Sequence, residues 1–196
     1  MKKKTKIYIG LIGEKGSGKD TVTEFLKKLL PGKKVRHVTF SDVLSETLDL
    51  WFIPRTRANY QKLVPMMVDT FGDATLATIT RRRAETLEAD VICIPGMRWP
   101  ADLRMVRSLN GNNSRSFVVY VTAPAKTRYL RLKKRRQKVG EDKTTFRKFM
   151  QEEKARTEMD IPKMGKKADL TIVNDGTMKD FCNTVRLKLL PLIAKK

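Results

Sequence analysis

Five short apolar runs punctuate the chain at 7–12, 35–40, 90–94 (DVICI), 117–121 (FVVYV) and 169–173 (DLTIV). The clearest of them lack the in–out alternation of a half-solvated strand, so they predict strands buried on both faces. Between them the spacing changes to that of helices. Val22, Phe25, Leu26, Leu29 and Leu30 mark a helix over 21–30 that stops at Pro31-Gly32. Val43, Leu44, Leu48 and Leu50 predict a helix over 42–50, and a Pro-punctuated segment then leads into a further helix over 65–87. Residues 96–109 read as a loop and a helix, 110–113 (NGNN) as a turn, 126–159 as a highly charged helical segment, and 178–194 as a last helix. Strands alternating with helices predict an α/β fold with a mostly parallel sheet and right-handed crossovers. Ligands of such sheets gather beyond the carboxyl ends of the strands. The glycine-rich loop after the first run, Asp42 and Asn174 all fall at such ends.

Composition narrows the classes. A length of 196 residues with 40% hydrophobic positions fits one domain with room for a small inserted lid. No apolar run approaches the roughly 20 residues of a membrane-spanning helix, so no membrane association is expected. The opening MKKKTKIYIGLIGEKG is interrupted at Glu14 and Lys15, without a small-residue cleavage site, and reads as a basic tail entering a strand. Cys93 and Cys182 form no C-x-x-C pair and His37 is the single histidine. Zinc sites, Ser–His–Asp chemistry and a disulfide scaffold are therefore unsupported, and the reducing cytoplasm is the expected compartment. Lysine and arginine number 42 against 21 aspartates and glutamates, a formal charge of +21. That balance favours polyanionic partners: nucleotides, coenzymes, RNA or DNA.

The stretch 9-IGLIGEKGSGKDTVTEFLKKLL-30 places a glycine loop between an apolar strand and an amphipathic helix. Gly13, Gly18 and Lys19 match G-x-x-x-x-G-K-[ST]. A phosphate cradle needs backbone N–H groups converging on oxyanions, so side chains must be absent where the chain curls, and Gly13, Gly16 and Gly18 remove them. The partial positive charge of the helix N-terminus favours the anion, and Lys19 neutralises the outer phosphates. Asp20 stands where the magnesium-binding hydroxyl is usual. A carboxylate is a competent hard-oxygen ligand, and Thr21 offers a hydroxyl one position later, so either residue suits the metal.

The stretch GEKGSGKDT resembles the phosphate loop of the small P-loop kinases that phosphorylate nucleotides and coenzyme precursors. It is similar in particular to dephospho-coenzyme A kinase and its nucleoside monophosphate kinase-like relatives. Four further segments match in order. In 38-VTFSDVL-44, Asp42 matches the acidic residue that ends the family's second strand. In 94-IPGMRWPADLRMVR-107, Gly96, Arg98 and Asp102 match, while Pro95 replaces an aspartate. In 128-RYLRLKKRR-136, Arg131, Leu132 and Arg135 match the arginine-rich lid, and 168-ADLTIVNDGT-177 matches the loop beside the nucleotide base. The resemblance implies a three-layer P-loop kinase fold: a mostly parallel five-stranded sheet flanked by helices, with a small helical lid. It would comprise one domain over 1–196, with the phosphate loop at 13–21, an acceptor-side helical region at about 42–88 and the lid at about 126–160.

The implied function is transfer of the γ-phosphoryl group of ATP or another nucleoside triphosphate, with Mg2+, to a nucleoside monophosphate or dephospho-coenzyme A. Donor contacts fall to Gly13, Glu14, Lys15, Gly16, Ser17, Gly18, Lys19, Asp20 and Thr21, with Arg131, Asn174 and Gly176 near the nucleotide. Asp20, Thr21 and Asp42 are the metal candidates. Asp42 also suits proton acceptance from the acceptor hydroxyl, or simple capping of its helix. Arg98 and Arg57 are candidate clamps on the acceptor. Arg131 and Arg135, spaced i, i+4, share a helical face from which to meet the transferring phosphoryl group. Lys133, Lys134 and Arg136 read as a solvated basic face, and Trp51 and Trp99 as packing residues. Two other readings follow from the same features. The charge and the basic run 126–138 fit an ATP-binding protein serving RNA or the ribosome. Pro95 fits a nucleotide-binding relative without catalysis.

Overall fold

The computed structural model describes residues 5–135, 144–155 and 158–195, with the side chains of Arg57 and Arg135 outside the described set. The basic tail before residue 5, Arg136 and the end of the run 126–138 likewise lie outside the described residues. In chain order the elements are β1 (Lys6–Ile12), α1 (Lys19–Leu29), β2 (Val35–His37), α2 (Phe40–Leu50), α3 (Arg57–Phe71), α4 (Thr75–Thr86), β3 (Val91–Met97), α5 (Pro100–Ser108), β4 (Ser114–Thr122), α6 (Ala125–Arg135), α7 (Phe146–Glu152), α8 (Ile161–Gly165), β5 (Leu170–Val173) and α9 (Met178–Ala194).

The strands form one sheet ordered β2-β3-β1-β4-β5, and every pairing is parallel. The central strand β1 is covered on both sides. Ile7, Ile9 and Leu11 face a core shared with Val22, Phe25 and Leu26 of α1 and Phe181, Val185 and Leu189 of α9. Tyr8 and Ile12 face a second core with Ala77 and Ala84 of α4, Leu103 and Val106 of α5, and Ile161 and Met164 of α8. Alternate residues of one strand therefore enter different cores, which is why the run is apolar without interruption. An edge-to-face contact between Phe25 and Phe181, 5.4 Å between centroids, fixes α1 against α9 beneath the glycine loop. A smaller core of Leu44, Leu48, Leu63 and Met67 joins α2 to α3.

Several boundaries differ from the sequence reading. The second strand ends at His37, and the next helix begins at Phe40 rather than 42, because Thr39 caps it. The single helix expected over 65–87 is two helices. Thr56 caps the first, accepting from Asn59 N at 3.2 Å, so the helix starts ahead of Pro65 and holds that proline in its interior. It stops at Gly72, whose φ of 91° is open to glycine at little steric cost. The charged segment 126–159 contributes α6 and α7 among its described residues. Trp51, expected to pack, is 51% exposed beside the fully solvated Phe52.

Pro95 lies within β3, opposite Leu11, where the register with β1 slips by one residue. The pairing of β3 with β2 ends at Cys93, so the missing N–H of Pro95 breaks no ladder on that side. Both cysteines are unpaired, and burial pushes the Cys93 thiol up to about 12, leaving it inert. No helix among the described residues is long and apolar enough to cross a membrane.

Candidate functional site

All strands being parallel, their carboxyl ends lie along one edge of the sheet, and the glycine loop leaves the central strand at that edge. Gly16 and Gly18 have φ of 79° and 96°, values that L side chains rarely adopt. A Cβ on Gly18 would stand 2.5 Å from Asn174 Nδ2, so the position also requires the space. Lys19 opens α1 directly behind this turn. Its side chain is 12% exposed and Nζ lies 3.7 Å from Asp20 Oδ2, whereas the Asp20 side chain is 67% exposed. Thr21 is half-buried, its N–H donating to Gly18 O at 3.0 Å. Ser17 Oγ is buried with no hydrogen-bond partner among the described residues. The loop thus gathers an ammonium group, a helix N-terminus and an unused hydroxyl donor, a set suited to an oxyanion.

The loop is held from three sides. Asn174, buried at the end of β5, donates from Nδ2 to Ser17 O at 2.8 Å. Its Oδ1 and main-chain oxygen accept from Arg131 at 3.3 and 2.9 Å, and Arg131 also donates to Gly176 O at 3.4 Å. The Arg131 guanidinium, expected on the phosphoryl group, braces the turn after β5, and Asn174 passes that restraint to the glycine loop. Arg128, which sequence reasoning did not single out, is the more buried arginine of α6. It donates to Ala123 O at 2.9 Å, to Lys15 O at 3.2 Å and to both carboxylate oxygens of Glu153 at 2.8 and 2.6 Å. Its guanidinium also stacks 5.4 Å from the Phe149 ring. The third support is Glu14. Its carboxylate is buried and accepts from the Tyr120 hydroxyl, while Glu14 Oε2 has no partner among the described residues. Burial, with the Glu14 bond adding to it, pushes the Tyr120 hydroxyl up to about 12, so Tyr120 remains a donor at neutral pH.

Asp42 does not stand inside the loop. Its Oδ2 accepts from Thr39 N at 2.8 Å and its N–H donates to Thr39 Oγ1 at 3.1 Å, a capping box that occupies one carboxylate oxygen. Since β3 separates β2 from β1, two strand spacings, about 10 Å, lie between their ends. Asp42 follows β2, at the same edge of the sheet as the glycine loop after β1. Among the described residues no three histidine, cysteine, aspartate or glutamate side chains converge on one metal position.

Arg98 follows β3, between these two regions. Its backbone N–H donates to Asp102 Oδ2 at 2.8 Å, as does Trp99 N at 3.0 Å, and its guanidinium pairs with Glu158. Burial dominates over these bonds and raises the Asp102 carboxyl to about 6. Between the ordinary carboxylate value of about 4 and that value, the folded chain retains a proton that the unfolded chain releases. Stability therefore falls as pH rises through this window. Relative to Asp102→Asn, the wild type is expected to lose on the order of 2 kcal/mol between pH 4 and 6.5 in denaturation curves. Parallel curves for the two proteins would refute the assignment.

No protein-family model matches the chain. It is 24% identical over 177 residues to a UPF0200 protein of Pyrococcus horikoshii, covering 89% of this chain and 91% of the relative. Among solved structures it superposes on shikimate kinase from Acinetobacter baumannii in complex with shikimate, with a TM-score of 0.55, 21% identity and coverage of 98% and 97%. Shikimate kinase from Bacteroides thetaiotaomicron gives a TM-score of 0.59 at 15% identity, with coverage of 96% and 99%. The chain has the three-layer α/β fold of these kinases, with the glycine loop at the carboxyl end of its central strand.

Proposed function

We propose that this protein is a P-loop kinase that moves the γ-phosphoryl group of ATP, or another nucleoside triphosphate, onto a small phosphate-bearing acceptor. The observation that carries the reading is the loop itself: two left-handed glycines, Lys19 and the N-terminus of α1 at the central strand's carboxyl end. In this reading residues 1–196 act as one catalytic domain in the cytoplasm, with nucleoside monophosphates and dephospho-coenzyme A as the leading acceptors.

Phosphoryl transfer demands positioning and charge neutralisation more than covalent help. The loop amides and Lys19 hold the β- and γ-phosphates, and Glu14, Lys15 and Ser17 shape the loop around them. Asp20 and Thr21 offer oxygen ligands for Mg2+, which when bound neutralises the phosphate charge. Arg98 clamps the acceptor, with Arg57 as a second cation on that side. For a hydroxyl acceptor, Asp42 takes the proton as the new oxygen–phosphorus bond forms and the β–γ bridge breaks to release the nucleoside diphosphate. Arg131 and Arg135 act from α6, Arg131 through the Asn174–Gly176 turn.

The test is a panel of nucleoside monophosphates, deoxynucleotides, dephospho-coenzyme A and, because shikimate kinases share the fold, shikimate, each with γ-labelled ATP and Mg2+. Label transfer to at least one acceptor is expected. Retention of ATP without transfer to any of them would end the kinase reading and favour a binding role.

A further inference from the structure

Glu152 and Glu153, at the end of α7, and Glu158 a few residues beyond meet cations drawn from three other places. Lys15 of the phosphate loop pairs with Glu152 at 3.2 Å, Arg128 of α6 with Glu153, and Arg98 after β3 with Glu158. The three contacts are chemically unequal. The Arg128 fork engages both oxygens of Glu153, and the remaining donors of that arginine lie on main-chain carbonyls. Such a pair is a structural tie. The Lys15–Glu152 pair is 26% and 21% exposed and water competes for it. Glu158 is different: one oxygen meets Arg98, while Oε2 is buried with no partner among the described residues. A carboxylate oxygen withdrawn from water without a donor is costly to hold. Of the three acids, Glu158 is the one that a better-fitting oxyanion can replace with net gain.

Glu158 also borders a cavity of about 10 Å3 with Lys15, Phe149, Glu152 and Glu153, room for about one water molecule.

Building on the reading that Arg98 faces the acceptor, we infer that Glu158 is an internal counterion that occupies the anion position of Arg98 until an oxyanion of the acceptor displaces it. The substrate-free protein keeps Arg98 paired and its net local charge low. Acceptor binding exchanges one carboxylate for another oxyanion and returns Glu158 to solvent. Affinity for the acceptor is accordingly set by the difference between two anions on one guanidinium.

The test uses inorganic phosphate as the probe and acetate as a carboxylate probe, each titrated calorimetrically. Lys19→Ala serves as the background, so that the phosphate loop does not dominate the signal. Adding Glu158→Gln, which keeps size and removes charge, is expected to tighten phosphate binding about two- to fivefold, the range of a solvent-accessible ion pair. Adding Arg98→Gln should erase that gain. A gain with phosphate alone assigns the position to phosphate, and a gain with both probes assigns it to oxyanions generally. No gain with either probe, or a gain that survives Arg98→Gln, overturns the inference. Glu158→Ala gives the same readout should the glutamine variant fold poorly. ATP retention by the wild type, measured separately, reports on the kinase reading without touching this result.

Discussion

Replacing Lys19 with alanine is expected to lower phosphoryl transfer by at least about 10²–10³-fold, the scale of losing one preorganised charge-stabilising group. ATP retention should weaken with it. The side chain is 12% exposed, so its charge acts in a medium that screens it poorly. The same substitution leaves Asp20 without the ammonium group 3.7 Å away, and its carboxylate then repels the incoming phosphates. Lys19→Arg is expected to rescue little, because a planar fork does not reproduce a compact point charge on a short reach. Equilibrium dialysis with labelled ATP and a single-turnover assay measure the two effects. Wild-type ATP retention by Lys19→Ala would remove the phosphate-cradle reading and everything built on it.

Arg128→Met is expected to destabilise the fold by about 3–5 kcal/mol, the scale for stripping one partner from a buried ion pair. The two side chains are 7% and 17% exposed, so the orphaned Glu153 carboxylate has little access to water. The double variant Arg128→Met with Glu153→Leu should regain more than half of that loss, because no unpaired charge stays behind. Denaturant midpoints of wild type, both single variants and the double close the cycle. A cost below about 1 kcal/mol for Arg128→Met would reduce the contact to the level of a surface pair. Arg128 also reaches the site. It donates to Lys15 O, and a Cβ on Gly16 would stand 2.8 Å from Arg128 O. The loop is thus moulded against α6, and weaker ATP retention should accompany the loss of stability.

Much of the frame was legible in the residues alone. The five runs hold the strands, with β3 extending through Pro95 to Met97 and β4 into the polar Ser114–Ser116 and Thr122, because the ladders to β1 and β5 continue past the apolar centres. The loop was legible because left-handed turns demand glycine locally, wherever the rest of the chain goes. Element ends were less so. The exchange of backbone and side-chain hydrogen bonds between Thr39 and Asp42 starts α2 two residues early, and Thr56 starts α3 at Arg57, eight residues ahead of the expected 65. In both cases one short polar side chain at the boundary outweighed the apolar spacing inside the helix.

The partners of the cations belong to another level. Arg98 meets Glu158 across 60 positions, Arg128 meets Glu153 across 25, and Asn174 meets Ser17 across 157. Forty-two lysines and arginines face 21 acids in this chain, and nothing in their order prefers one pairing to another. Backbone conformation and strand burial are specified within a few residues, by sterics and by hydrophobicity of immediate neighbours. Charge pairing depends on distance through space and on exclusion of water, and both exist only once β3, α6 and α7 have packed around the loop. The amino-acid order therefore decided that a glycine loop exists and where it lies. The packed chain decided which acid neutralises which cation around it.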